Sequence, residues 1–413
     1  MKTAKEYSVV VYALFVFMVG QTYADGDEGF IYGKITMKND DTYQGVIRWG
    51  KEEAFWDDMF NSSKEEYALE DRLTNKELDY LEDEIWDKRR RRNRGWFWNR
   101  SDGWLTTHQF KCRFGDLKQL EMLPGKHVRL TLKNGDQVEV SGGSNDVGAT
   151  LRIMDAERGK VELKWRRIDR VEFMQTPKEV QDKFGSPLYG TVETRRGSFE
   201  GFIQWDHEEC LSTDILNGKH DDGKMAIEFG RIKSIEKHRS GSLVILKSGR
   251  ELYLRGSNDV DDDNRGIVIK ELNLGKVLVE WREFKKVTFV ENVKDSGPAY
   301  NDFSEPKRLT GLVKTDDDET LSGHMIYDLD EALDFEILDG ENRGIKYRIP
   351  FRNIKAIVPE GRFGATVELK NGRKLELDDS RDVDRDNDGL LVWVEDKTMR
   401  YVSWNDIRRL DLR

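Results

Sequence analysis

Three stretches of this chain hold residues whose types and spacing could do chemistry. The first is DRDNDGLLVWVE, with Asp384, Asp386, Asp388, Gly389 and Glu395. Acids at positions 1, 3 and 5, glycine at 6 and glutamate at 12 match a calcium loop of the EF-hand type, in which hard oxygen ligands converge on the cation. The same residues fit a polar turn that opens a strand, because LLVWV has no helical period and Asp is a turn former. An earlier loop, DVDDDNRG, keeps Asp259, Asp261 and Asp263 but sets Arg265 before Gly266.

The second stretch is WDHEECLSTD, with Asp206, Glu208, Glu209 and Asp214. A carboxylate pair hydrolyses glycosides when one acid keeps its proton and the other is ionised. The chain also contains WGKEEAFWDD and YDLDEALDFE, so the acids read equally as a recurring solvated turn. The third stretch runs DKRRRRNRGWFWNR, where six of the seven residues from Lys88 to Arg94 are cationic. Arg90, Arg91 and Arg92 followed by Trp96 and Trp98 suit an anionic surface, either lipid headgroups or acidic polysaccharide. The competing reading is structural: the cations close an acidic helix and pair with Glu82, Asp83, Glu84 and Asp87, while the aromatics dock that arm on the neighbouring fold. The six histidines are scattered, and H-E-x-x-H, G-x-S-x-G, Walker and Cys-His nucleophile patterns are absent from the sequence. No cofactor other than calcium is implied.

The elements that must position these residues recur three times. YGKITMKNDDTYQGVIRWGKEE, YGTVETRRGSFEGFIQWDHEE and TGLVKTDDDETLSGHMIYDLDE each hold two glycines: Gly33 and Gly45, Gly190 and Gly201, Gly311 and Gly323. Further blocks are anchored by Phe114, Phe229 and Phe351, by SNDV, SNDV and SRDV, and by Trp165, Trp281 and Trp404. Alternating strands flank Asn134-Gly135, Ser248-Gly249 and Asn371-Gly372, which are two-residue hairpin signals. The Phe block lies 81 residues after Gly33 but 39 and 40 after Gly190 and Gly311, so the first repeat carries an insertion at about 62–104. Leu69, Leu73, Leu78, Leu81 and Ile85 give that insertion a helical period.

Short strands ending in strand, tight turn, strand resemble Sm-like and SH3-like small barrels, and the whole pattern is similar to exported bacterial repeat proteins. The resemblance implies a mostly β fold of three tandem repeats, each built from two SH3-like small barrels, with one helical insertion in the first. Such folds bind RNA, peptides or glycans, or only pack, so they imply no single activity. Prolines at 177, 187, 298 and 306 mark linkers and divide the chain into 25–175, 185–292 and 307–413.

Residues 1–24 have the order of a secretory signal: Lys2 and Lys5, a thirteen-residue apolar run, then Thr22 and Ala24 before a cleavage point. The run is short for a membrane span, so no transmembrane segment is expected after cleavage. Export to a periplasmic or extracellular space, with a net charge of −11, disfavours nucleic acid as a partner. Cys112 and Cys210 fall in different blocks and read as two separate buried thiols. The expectation is a non-enzymatic binding or scaffold protein of the cell envelope, with an envelope protein, a glycan or an anionic lipid surface as its partner. The alternatives are an envelope-polymer hydrolase and a calcium-stabilised structural protein.

Overall fold

The computed structural model describes residues 26–64, 73–81, 108–142, 146–361, 363–395 and 398–413. The expected mostly β architecture is present, with thirty strands and one α-helix (α1, residues 75–81) among the described residues. The first ten strands are β1 Tyr32–Met37, β2 Thr42–Trp49, β3 Met59–Lys64, β4 His108–Arg113, β5 Leu117–Met122, β6 His127–Leu132, β7 Gln137–Ser141, β8 Leu151–Asp155, β9 Gly159–Leu163 and β10 Ile168–Phe173. A second ten follow: β11 Tyr189–Thr194, β12 Gly197–Trp205, β13 Ile215–His220, β14 Gly223–Glu228, β15 Ile232–His238, β16 Gly241–Leu246, β17 Glu251–Leu254, β18 Ile267–Glu271, β19 Gly275–Val279 and β20 Phe284–Phe289. The last ten are β21 Thr310–Thr315, β22 Thr320–Tyr327, β23 Ile337–Asn342, β24 Ile345–Pro350, β25 Ile354–Pro359, β26 Gly364–Leu369, β27 Lys374–Asp378, β28 Leu390–Val394, β29 Thr398–Val402 and β30 Ile407–Leu412.

Across the first unit the strand order is β4-β3-β7-β6-β5-β10-β1-β2-β8-β9. The second and third units have the same neighbours in the same order, although β13 meets the chain after β17 only through a bridge from Lys219 to Arg255. Each unit is therefore nested. Five outer strands (β1, β2, β8, β9 and β10 in the first) enclose five inner ones (β3 to β7) in sequence, and β10 pairs with β5 to join the groups. Side chains of both groups meet in one core: Ile35, Ile47, Ile153 and Val171 from the outer strands touch the cluster that holds Phe60, Leu120, Leu130 and Val140.

Local chemistry explains the elements. In β6, Val128, Leu130 and Leu132 point inward while His127, Arg129 and Thr131 are only partly covered. This is the period-2 alternation of a half-buried strand. The hairpin after β6 closes at Gly135, whose φ of 92° suits glycine. Gly249 (86°) and Gly372 (87°) do the same in the other units. The paired glycines of the opening block face one another across the first hairpin: Gly33 opposite Gly45, Gly190 opposite Gly201, Gly311 opposite Gly323. A Cβ on Gly45 would lie 1.8 Å from the Met154 carbonyl oxygen of the next strand, so only glycine permits this approach.

The three units touch one another. β19 pairs with β24, which runs the second and third units into one sheet. Phe30, Phe55, Phe184, Cys210 and Leu211 pack between the first and second. Phe335 of the third lies in the core of the first, and Lys111 on β4 pairs with Asp339 on β23 at 3.0 Å. The connection between the second and third units also crosses the first: Tyr300 and Phe303 pack there, and their carbonyl oxygens accept hydrogen bonds from Lys133.

Of the expected helical insertion, the structure describes α1. Thr74 caps it, with the Glu77 carboxylate accepting from the Thr74 N–H at 2.8 Å and the Glu77 N–H reaching back to the Thr74 hydroxyl. That is a capping box. Leu73 and Leu81 bury against Ile326, Leu329, Ala332, Leu391 and Met399, so α1 docks on the third unit rather than on its own. The Trp393 indole N–H donates to Glu77 at 3.2 Å. No helix among the described residues is long and apolar enough to cross a membrane. The expected signal segment lies outside the described residues.

Candidate functional site: the acidic turns

The acidic turns begin where a strand ends in Trp49, Trp205 or Tyr327. At each, the aromatic residue's backbone and that of Glu53, Glu209 or Glu331 exchange hydrogen bonds across a tight turn. The following backbone bends inward and buries amide groups that need acceptors. Asp58 supplies them for Ala54 and Phe55, both at 2.9 Å. Asp214 does so for Cys210 and Leu211, also at 2.9 Å, and Glu336 for Ala332 and Leu333 at 2.6 and 2.7 Å. Asp214, a candidate acid from spacing, is thus held as a turn anchor, as short polar side chains commonly are.

The SNDV block explains the aromatic anchors. The Asp146 carbonyl accepts the Trp49 indole N–H at 2.9 Å, and the Asp259 carbonyl that of Trp205 at 2.8 Å. In the third unit the Tyr327 hydroxyl donates to the Asp382 carbonyl. The three carboxylates each take a strand amide: Asn61 at 2.6 Å, Asn217 at 2.5 Å and Asp339 at 2.6 Å. Trp49 and Trp205 are fully buried and meet Trp165 and Trp281 edge-on at 5.7 and 5.9 Å. Trp49, Trp205, Trp281 and Trp404, the last 2% exposed, are core residues and the half-buried Trp165 packs against the core, rather than forming a carbohydrate platform.

Glu53, Glu209 and Glu331 lie beside these aspartates, and all three have raised pKa values because of burial first and neighbouring acids second. Glu209 is pushed up to about 8 by burial first, with Asp259 the largest adverse charge. Among the described residues, one carboxylate oxygen of Glu209 and one of Glu331 have no hydrogen-bond partner. Asp382 is pushed up to about 7, again by burial and then by Asp339. These groups keep protons that an unfolded chain would release. The sign follows. Below the ordinary carboxylate range, both states hold the Glu209 proton. From there to about pH 8 only the native state does, so stability falls as pH rises. Glu209→Gln is expected to melt like the wild type near pH 4 and at a higher temperature near pH 8. Parallel thermal melts across that range check this, and an unchanged wild-type-minus-variant difference would refute it.

Asp206 is 1% exposed and has a φ of 46°. It accepts from the Arg265 N–H at 2.6 Å and from the Asn258 amide at 2.5 Å, and it pairs with the Arg265 guanidinium. Glu208 meets the same guanidinium at 3.0 Å. His207, at a φ of 61°, is lowered to about 4 by burial and then by Arg265, which keeps it neutral. Asp328 is the third unit's counterpart: it accepts from the Asp388 N–H and pairs with Arg381 at 3.0 Å.

That arrangement consumes the calcium-like motif. Asp388 pairs with Arg381, Asp384 accepts from the Asp386 N–H at 2.7 Å, and Gly389 opens β28. Glu395 sits at the far end of that strand. Among the described residues no group of three or more His, Cys, Asp or Glu side chains could hold a metal ion, so Asp384, Asp386, Asp388 and Glu395 do not converge. Arg90, Arg91, Arg92, Trp96 and Trp98 lie outside the described residues. Cys112 and Cys210 are free and buried, and burial raises both thiols well above the ordinary range.

Sequence reasoning missed an ionic cluster where the first two units meet. Lys270 is 4% exposed and reaches Asp57 at 3.1 Å and Asp58 at 2.7 Å, with its ammonium 4.5 Å from the centre of the Phe55 ring. Lys276 approaches Asp58 at 3.7 Å. Burial opposes the Lys270 charge, but the two aspartates outweigh it and its pKa is raised. At the same joint, Arg48 grips Asp214 with two hydrogen bonds at 2.6 and 2.9 Å. A lysine in a strand otherwise reading IVIKE carries no signal of burial. The chain matches no family model, no curated protein and no solved structure.

Proposed function

We propose that this chain is a non-enzymatic binding or scaffold protein exported to the cell envelope. One observation supports it above the others: Asp58, Asp214 and Glu336, at matching positions in three units, hold the chain's own backbone amides. Carboxylates occupied in this way position a turn and leave little capacity for a substrate proton. The division into three tandem repeats of small-barrel type belongs to the same reading, since similar surfaces presented three times suit a scaffold. Calcium has less support than in the sequence, because Arg381 takes the place a cation would have beside Asp388.

The test uses purified full-length chain, insoluble peptidoglycan and an acidic polysaccharide gel. The wild type should be retained on at least one polymer without releasing soluble fragments. Fragment release by the wild type that is lost in Glu209→Gln would overturn the proposal in favour of an envelope-polymer hydrolase.

A further inference from the structure

The joint between the second and third units shows what one of these units accepts. β24 adds to the outer edge of β19, with Val277 opposite Tyr347 and Leu278 opposite Lys346. Tyr347 then packs against Phe199 at 6.4 Å, over the mouth between the first hairpin and β19. Lys346 pairs with Glu280 at 3.1 Å, and Arg373 of the third unit pairs with Glu271 at 3.0 Å. An extended strand, an inward aromatic and basic flanks meeting acids therefore define the occupant.

The first unit has the same receptor without that occupant. GKVELKWRR of β9 and its turn aligns with GKVLVEWRE of β19, and Tyr43 takes the place of Phe199. Among the described residues no strand pairs with the outer edge of β9. Beside that edge opens a groove of about 290 Å³, lined by the apolar Met37, Tyr43, Val161 and Leu163, by the basic Lys164, Arg166 and Arg167, and by Asn39, Asp41 and Glu162. Glu162 is paired with Arg152 at 3.4 Å. Tyr43 is half-buried, whereas Phe199 is 7% exposed beneath its occupant. The charge is reversed at one of these positions: Lys164 stands where Glu280 pairs with Lys346, whereas Asp155 keeps the acid of Glu271. Arg167 stands at the position of Glu283, which pairs with Arg196 of its own unit at 3.5 Å. Lys164, Arg166 and Arg167 form no ion pair among the described residues.

We propose that β9 and its groove form a strand-addition site for an extended acidic segment of a partner protein, carrying an aromatic residue that enters against Tyr43. The proposal rests on the binding reading above and names its partner class. Main-chain hydrogen bonds to a free edge supply affinity, and the alternate side chains supply specificity. A second copy that adds through its β14 is disfavoured by charge. β14, which matches β24 in position, carries Lys224 where Lys346 stands, and this would face Lys164.

Two peptide probes decide the matter. One copies residues 345–349 (IKYRI); the other replaces its two basic residues with glutamate. Fluorescence anisotropy with full-length chain should show the acidic analogue binding, more weakly as salt rises, with the parent about tenfold weaker, the scale set by two exposed charge pairs. Lys164→Glu with Arg167→Glu, both at exposed positions, should exchange that preference. Equal binding of both peptides, binding unaffected by the double variant, or no binding of either would overturn the proposal. Self-association abolished by the double variant would also overturn it, in favour of a second copy. Polymer retention that persists after any of these results would show that the binding reading survives its loss.

Discussion

Lys270→Ala is expected to lower the stability of the chain by about 3–5 kcal/mol, the usual cost of leaving a buried charge without its partner. The charge left behind is Asp58, whose side chain is 2% exposed. Lys276, at 3.7 Å, compensates only in part. Neutralising Asp58 with a proton carries its own cost, because the Ala54 and Phe55 amides both donate to its Oδ2 and favour the ionised form. The double variant Asp58→Asn with Lys270→Met keeps an oxygen for those amides and removes both charges. It should recover much of the loss, since buried pairs replaced by apolar groups of similar volume are often near neutral. Urea denaturation of wild type, Asp58→Asn, Lys270→Met and the double variant gives the coupling directly. Additive losses, with no recovery in the double variant, would mean that the cluster does not hold the first two units together.

Trp205→Ala should cost about as much, roughly 3–5 kcal/mol, through a cavity in the core of the second unit. Trp205 is fully buried among Phe229, Trp281 and Phe284, with ring centroids 5.3–6.3 Å away. Its loss also leaves the Asp259 carbonyl only the Asn264 amide, at 3.5 Å. Two milder variants separate these effects. Trp205→Phe keeps an aromatic ring but has no donor, whereas Trp205→Tyr copies the third unit, where Tyr327 donates to Asp382. The tyrosine variant should be the more stable of the two by about 0.5–1.5 kcal/mol, the net value of one hydrogen bond. Far-UV circular dichroism in urea measures all three without relying on tryptophan fluorescence. If phenylalanine and tyrosine behave alike, the repeated bond to the SNDV block contributes nothing measurable.

Much of the architecture was legible because it is local. Alternation in HVRLTL, glycine after Asn134 and the opposed glycines of the first hairpin depend on residues a few positions apart, and the structure places them as strands and turns. The acidic turn was legible as a turn, and the strand after Gly389 as a strand. The chemistry of the individual acids was not. Asp214 and Glu209 are five residues apart in one turn, yet one anchors amides and the other keeps a proton. Spacing cannot separate them, because the difference is set by Arg48 of β2, which pairs with Asp214, and by Asp259 of the loop before β18, which lies beside Glu209.

What the sequence by itself determined is the set of β elements, their turns and the aromatic and glycine positions that recur in them, since backbone sterics and side-chain alternation act within a few residues. Only the tertiary structure decided that the strands nest, that α1 lies on the third unit, that Lys270 is buried against Asp58 and that β19 is paired with β24 while no described strand pairs with the outer edge of β9. Those outcomes depend on which surfaces meet across a hundred residues or more. There, burial, charge pairing and strand-edge hydrogen bonding compete, and no local pattern records which of them prevails.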